Sequence, residues 1–556
     1  MGEAMFIKLR ISRSIVASII LVTGSFSGVS QAAAQSTQSP TRVEQGAITG
    51  GTLRVALRRL HEYNLLPWDN GWIGLFSNQF ESLVKVDENL KAYPSLATSW
   101  EISPDGKTYT FHLKRGVEFQ DGDKFDANAV KTQFDALYGG KLARVEDFAN
   151  GDLRQLKSVD VLDQYTVQFS LNNPDAAFLT NISSVKGSIA SPSSVNALKK
   201  TDLGESLKGT GPFELVQVDP DQQLVYKRFD KYNWAPGNAK HDGPAYLEKV
   251  VLQKIPDPAV RAGLLTSGQV DLIESVDFND IPLFRDNKSY QFVSVPEGGV
   301  PWVWYFNADG FGTNDIRVRE AIREALDVDS LVKNIYQDTA KHAWSHIPST
   351  SNFYNAELEG KYTNNVKKAN DLLDEAGWTG RNSDGIRTNA KGEPLELVFL
   401  NRGLPGRNKY FAEAVQQSLR DNAGIKLTFD NVDSAQGFAK RKENKYSIFH
   451  TSVSGYDQGI SFVYLFSSTG VMNFTKVSDP ALDDLLQKQA QATSPEERAR
   501  TLQAIDRYVV LDKKLVLPVT EFENNVAATS KLHNVDTSFI AKRRYVGPNA
   551  YDLWIE

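Results

Sequence analysis

Cysteine is absent from all 556 residues. Disulfides, thiolate-ligated zinc, iron–sulfur clusters and thiol nucleophiles are therefore excluded, and core packing must carry the stability. Histidine is scarce at seven and methionine at three. His342 and His346 stand four apart, a spacing that could share a metal on a helix, but no acidic third ligand is near and Pro348 follows closely. No metal is expected. Basic excess is missing as well: 62 Lys+Arg face 68 Asp+Glu, a formal charge of −6, whereas a nucleic-acid binder usually shows a basic stripe. The phosphate-cradling Gly-x4-Gly-Lys-Ser/Thr loop, the Gly-x-Gly-x-x-Gly turn and the Gly-x-Ser-x-Gly elbow are all lacking. No catalytic set assembles, so neither an enzyme nor a cofactor is expected.

Long hydrophobic runs are few. The run Ile15 to Leu21 falls well short of the ~20 residues that cross a bilayer. It follows Lys8, Arg10 and Arg13 and precedes Ala32-Ala33-Ala34, the layout of a cleaved secretory signal over residues 1–34. A Ser-, Thr- and Gln-rich flexible stretch, 35–49, comes next. Without a lipobox cysteine, the mature protein is expected free in the periplasm.

What is present is an alternation of strands and helices. Residues 52–57 and 108–114 alternate like strands, and a helix is expected after Asp126 with Ala129, Val130, Phe134 and Leu137 on one side. Strands return over 213–226, 247–255 and 394–400. Helices are expected over 258–265, 318–326, 329–337 (capped by Asp329), 369–375, 411–422, 480–492 and 495–510. The pattern is α/β, and the length predicts about three domains.

One run is unusual: Ala97 to Gly122, containing Trp100, Ser103-Pro104-Asp105-Gly106, Thr108 to Leu113, and Asp121-Gly122. It resembles the signature segment of the family 5 solute-binding proteins, the dipeptide/oligopeptide-binding receptors of ABC importers. The likeness continues in order. Gly209-Thr210-Gly211-Pro212-Phe213, Ile255-Pro256-Asp257 through Gly268-Gln269-Val270-Asp271, Asp315-Ile316-Arg317-Val318-Arg319, Ala376-Gly377-Trp378 and Asp384-Gly385 are similar to that family's later blocks. The residues themselves read mostly as fold: two glycines flanking Thr210 before a strand allow close backbone approach, and Arg317 and Arg319 sit on a helix within reach of Glu320 and Glu324.

The resemblance implies a two-lobed periplasmic binding protein fold, in its large three-domain type II variant. Residues 50–80, 210–300 and 525–556 would form lobe I, 81–209 an inserted smaller domain, and 301–524 lobe II, with a hinge between lobes. It further implies a monomeric receptor that captures a peptide or peptide-like solute and delivers it to a membrane permease, with no nucleic-acid partner. An oligosaccharide, opine or sugar-phosphate conjugate is the alternative ligand, and a periplasmic hydrolase a remote one. In peptide-binding members an Asp in a Gly-Trp-x-x-Asp stretch pairs with the ligand's amino terminus; anchored on Ser461-Phe462, that position falls here at Gly455 or Tyr456. Asp457 or Glu62 would have to substitute. Further candidates for ligand contact are Tyr63 and Trp68, whose aromatic density suits stacking, Trp304 on a strand, Arg402 for a carboxylate or phosphate, and Thr451, Ser452 and Tyr456. Arg407 reads as surface charge.

Overall fold

The computed structural model describes residues 42, 44–60, 66–67, 78–87, 89–138, 153–199, 202, 204–220, 222–296, 299–337, 339–362, 364–404, 406–453, 457–535 and 550–556. The secretory signal expected over 1–34 lies outside them. Thr-Leu-Arg-Val-Ala-Leu forms β1 (Thr52–Leu57), exposed at Arg54 and buried on both faces from Val55 to Leu57. Four strands then make a separate antiparallel sheet: β2 (Ala97–Ile102), β3 (Thr108–Leu113), β4 (Leu156–Asp163) and β5 (Thr166–Leu171), in the order β2-β3-β5-β4. Tyr109, Phe111 and Leu113 of β3 are buried and polar neighbours alternate with them, as a one-faced sheet requires. Helix α1 (Ala127–Tyr138) covers that face, Phe134 meeting Phe169 edge-on at 4.9 Å.

Eleven further strands join β1 in one 12-stranded sheet, and three two-stranded ribbons (84–86 with 92–94, 380–381 with 387–388, 532–533 with 554–555) stand apart from it. The eleven are β6 (Phe213–Asp219), β7 (Gln223–Arg228), β8 (Lys249–Lys254), β9 (Leu272–Ile273), β10 (Tyr290–Pro296), β11 (Trp302–Phe306), β12 (Ala340–His342), β13 (Glu396–Asn401), β14 (Lys426–Asn431), β15 (Ile448–Thr451) and β16 (Val516–Thr529). The order is β14-β13-β15-β11-β16-β9-β1-β8-β7-β6, with β10 and β12 also on β16. The single strand expected over 213–226 is thus a hairpin, β6 and β7, whose turn is closed by Gln222 N donating to Asp219 O at 3.0 Å.

Helices flank the sheet: α2 (Pro258–Thr266), α3 (Ile316–Glu324), α4 (Val328–Tyr336), α5 (Val366–Glu375), α6 (Arg407–Ala423), α7 (Gln458–Phe466), α8 (Pro480–Ala490) and α9 (Pro495–Arg507). Their starts follow capping chemistry. Asp257 caps α2 with Pro258 at its first turn, as expected, but α4 is capped by Asp327 rather than Asp329. Asp329 instead bonds His342 Nδ1 at 2.6 Å. Arg317 and Arg319 also depart from the expected pairings: Arg317 forks onto Asp315, Arg319 ties up carbonyls of Thr313, Lys513 and Lys514, and Glu320 and Glu324 take Lys368.

Gly209 and Gly211 are needed where they stand. A Cβ on Gly209 would lie 1.9 Å from the Gln79 carbonyl oxygen, and one on Gly211 2.6 Å from the Gln79 carbonyl carbon. The bond from Gly211 N to Gln79 O, 2.9 Å, depends on that approach. Buried apolar side chains fall into three clusters. One joins the four-stranded sheet to β1 and β6–β8, the second lies around β11, β13 and β15, and the third sits under α2.

Candidate functional site

Strand β16 explains where a cleft must be. Its first residues pair with β11 (Val516, Leu517 and Pro518, then Thr520) and its last with β9 (Ala527 and Ala528). It leaves one half of the sheet and enters the other. In the first half β13 runs parallel to β14 and β15; in the second β1 runs parallel to β8 and β9. Because β15 and β16 are both antiparallel to β11, β15 points the way β16 does, toward the second half. Because β9 is antiparallel to β16, β9 and β1 point back toward the first. The carboxyl ends of both parallel sets therefore face one another across the middle of β16, and such ends are where open α/β sheets bind ligands.

On the second-half side, α2 fastens those ends. The buried guanidinium of Arg261 donates to the carbonyls of Ile255 (2.7 Å), Pro256 (2.9 Å), Glu274 (3.0 Å) and Ser275 (2.8 Å), while Glu274 accepts from Arg58 N at 2.8 Å. On the first-half side stand Arg402, Thr451 and Ser452, all half-buried, with the Arg402 guanidinium 4.8 Å from the Phe449 ring centre. His450 lies beside them, stacked on Phe399, with Nδ1 accepting from Trp302 Nε1 at 3.2 Å. Burial, aided by the charge of Arg402, pushes His450 down to about 3, so its ring is neutral. Arg407, at the start of α6, reaches between the halves: it lays its guanidinium 3.1 Å from the ring centre of Phe278, and donates to Ile335 O. Arg407 is thus engaged rather than free surface charge.

The expected contact residues divide. Glu62, Tyr63, Trp68 and Tyr456 lie outside the described residues. Arg402, Thr451 and Ser452 come together at the carboxyl ends of β13 and β15. Trp304 is corrected: it is wholly buried in β11, 4.6 Å from Phe399 and 6.0 Å from Phe411 between ring centres, and faces core rather than ligand. Strand β11 is buried along its whole length, so alternation cannot bring one of its faces to the cleft. Asp457 is neither a solvated turn residue nor an unengaged anchor. Its Oδ1 caps α7, accepting from Gly459 N (2.9 Å) and Ile460 N (3.2 Å), and pairs with Arg498 Nη2 at 2.7 Å, with both side chains buried. Its Oδ2 is buried and, among the described residues, has no hydrogen-bond partner.

His342 and His346 do not converge on a metal: the first bonds Asp329, the second the Tyr305 hydroxyl at 3.0 Å. Among the described residues no group of three His, Asp or Glu side chains could hold one, and no helix is long and apolar enough to cross a membrane. Sequence reasoning missed His450 and Arg498; Arg498 lies 41 residues from Asp457 on another helix.

Known proteins match this arrangement. The family model described as "Bacterial extracellular solute-binding proteins, family 5 Middle" matches residues 91–474. The dipeptide-binding protein of Escherichia coli K12 is 32% identical over 330 residues, 56% of this chain and 59% of that protein, so the match spans under two thirds of the relative's length. Heme-binding protein A of Haemophilus influenzae is 28% identical over 430 residues, 73% of this chain and 75% of its own. In fold, the periplasmic binding protein DppA of Helicobacter pylori, solved with the peptide STSA, superposes with a TM-score of 0.73 at 24% identity, covering 92% of this chain and 99% of that one. The chain belongs to the bacterial extracellular solute-binding proteins of family 5.

Proposed function

We propose that the protein is the periplasmic receptor of an ABC importer, capturing a peptide or peptide-like solute between the two halves of its sheet and passing it unchanged to a membrane permease. The observation that carries this is the opposition of carboxyl ends across β16, in a chain whose relatives include a dipeptide-binding protein. Residues 50–80, 210–300 and 525–556 act as lobe I, 301–524 as lobe II, and 81–209 as an inserted domain. The crossing strand forms the hinge. Glu521 and Glu523 steady that hinge from either side. Glu521 accepts from Ser349 N (2.7 Å) and Ser349 Oγ (2.6 Å), and Glu523 from Ser294 Oγ (2.5 Å).

Arg402, Thr451 and Ser452 contact ligand from lobe II, joined by Tyr456, and Glu62, Tyr63 and Trp68 contribute from lobe I. Closure follows from the ligand's greater affinity for the closed form and needs no chemistry. The receptor works as a monomer after its export signal is removed. Titration calorimetry with a di- to pentapeptide mixture tests the reading. Heat on mixing is expected, with a rise in stability of about 2.7 kcal/mol at a hundredfold excess over Kd. Absence of peptide heat overturns it.

A further inference from the structure

The 81–209 domain is built into lobe I. Its sheet shares one buried apolar cluster with β1 and β6–β8, and that cluster takes no residue from lobe II. The buried Glu81 side chain accepts from Thr210 Oγ1 (2.9 Å), the Tyr232 hydroxyl (2.8 Å) and Trp234 Nε1 (3.0 Å), all of lobe I. Lys114 Nζ donates to the carbonyls of Trp234 and Ala235 at 2.9 and 3.1 Å. A common core and a satisfied buried polar network make the joint rigid, so the domain moves with lobe I.

Toward lobe II the same domain is joined differently. A cavity of about 810 Å³ lies between them, with Tyr109 and Asp175 in one wall and Ser351 and Arg498 in the other. Two hydrogen bonds cross beside it. Ala176 N donates to the carbonyl of Ala490, the last residue of α8, at 2.9 Å. Asn352 Nδ2 donates at 3.1 Å to Oδ1 of Asn89, which lies between the strands of the 84–86/92–94 ribbon. An open, polar interface of this kind parts and rejoins readily. The conformation that makes these bonds also lays Arg407 against Phe278, so both links between the lobes are made together.

We propose that the inserted domain is a clasp: carried by lobe I, it grips lobe II at Ala490 and Asn352 when the halves of the sheet close about β16, and lets go when they open. The inference rests on the receptor reading and adds to it a contact that favours closure before any ligand arrives. Each neutral hydrogen bond shifts the balance by about two- to tenfold, so the pair biases the hinge without locking it.

Asp175 makes the grip depend on pH. Ala177 N donates to its Oδ1 at 2.9 Å, and among the described residues no cation forms an ion pair with it. Loss of water raises its carboxyl to about 6, Asp457 of lobe II pushes the same way, and Arg498 and the exposed Arg154 oppose them. Lys91 and Glu496, one of each sign, stand exposed at the rim. Parting the walls returns water to the carboxyl and lowers it toward its ordinary value near 4. The clasped form thus holds a proton that the parted form gives up. The grip is full below about pH 4 and weakens as pH rises through about 6, by at most about a hundredfold.

Because the chain has no cysteine, Asn89→Cys and Asn352→Cys together supply one reactive thiol pair, which a short reducible bismaleimide joins. The bridged, ligand-free chain should have a smaller radius of gyration in small-angle scattering than the same chain unbridged. It should also give no heat with a di- to pentapeptide mixture until the bridge is reduced. Asn352→Ala should bind the mixture up to about tenfold more weakly than the native chain. The empty native chain should be more compact at about pH 5 than at about pH 7.5, and Asp175→Asn should show no such difference. An unchanged radius on bridging, or native peptide heat from the bridged chain, overturns the clasp and leaves the receptor reading intact. No peptide heat from the native chain overturns the receptor reading, and the radius of the empty chain with and without the bridge then decides the clasp alone.

Discussion

Replacing Asp457 with Asn separates a fold-holding group from a ligand anchor. The exchange keeps a side-chain acceptor for Gly459 N and Ile460 N, so the cap on α7 largely survives. It removes the charge opposite Arg498, whose side chain is only 8% exposed and whose Nη2 lies 2.7 Å from Oδ1. Stranding one member of a buried pair costs about 3–5 kcal/mol, because the remaining charge stays out of water without compensation. Asp457→Ala should cost about 1 kcal/mol more, the usual worth of the lost cap. The double variant Asp457→Asn, Arg498→Leu should recover much of the loss, since no charge is then left stranded. Urea titration of the ligand-free protein measures all three. A loss below about 1 kcal/mol in Asp457→Asn, coupled with a loss of ligand binding, would refute the reasoning and return Asp457 to the role of anchor.

Other consequences follow from single contacts. Asp506 is fully buried, accepting from Ser345 Oγ and from His346 N at 3.0 Å, and loss of water raises it to about 7. Folded, it holds its proton to about pH 7; unfolded, it releases it near 4. The unfolded chain therefore binds fewer protons in that window, and stability falls as pH rises through it. Relative to Asp506→Asn, the native chain should lose unfolding free energy between pH 4 and 7 and then level off. Arg407→Ala removes the cross-cleft contact with Phe278, worth about 0.5–2 kcal/mol. The ligand-free protein should then widen in small-angle scattering and bind no more than about thirtyfold more weakly. Trp304→Phe should cost stability by shrinking a packed core, while leaving ligand affinity unchanged in calorimetry.

Local pattern made much of the fold legible. Alternation marks β1 and β3, and Asp-Pro at 257–258 starts α2, because each depends on neighbours in sequence. The family blocks marked their own glycine requirement, and at Gly209 and Gly211 the Gln79 backbone explains it. Alternation misled at Trp304, since a strand covered on both sides has no outward face. The cap of α4 shifted to Asp327 because two aspartates stand at its start, and His342, distant in sequence, claims the other. Asp457 was legible neither as the cap of α7 nor as half of an ion pair, because Arg498 lies 41 residues away on another helix. Pairings over hundreds of residues leave no periodic trace.

The central claim is that the two halves of the sheet close on a peptide and release it unaltered. Small-angle scattering of the protein with and without a di- to pentapeptide mixture, followed by mass analysis of the recovered peptides, tests it most directly. The account predicts a smaller radius of gyration with peptide present and peptides recovered at unchanged mass. An unchanged radius at saturating peptide, or peptides recovered cleaved, would contradict it.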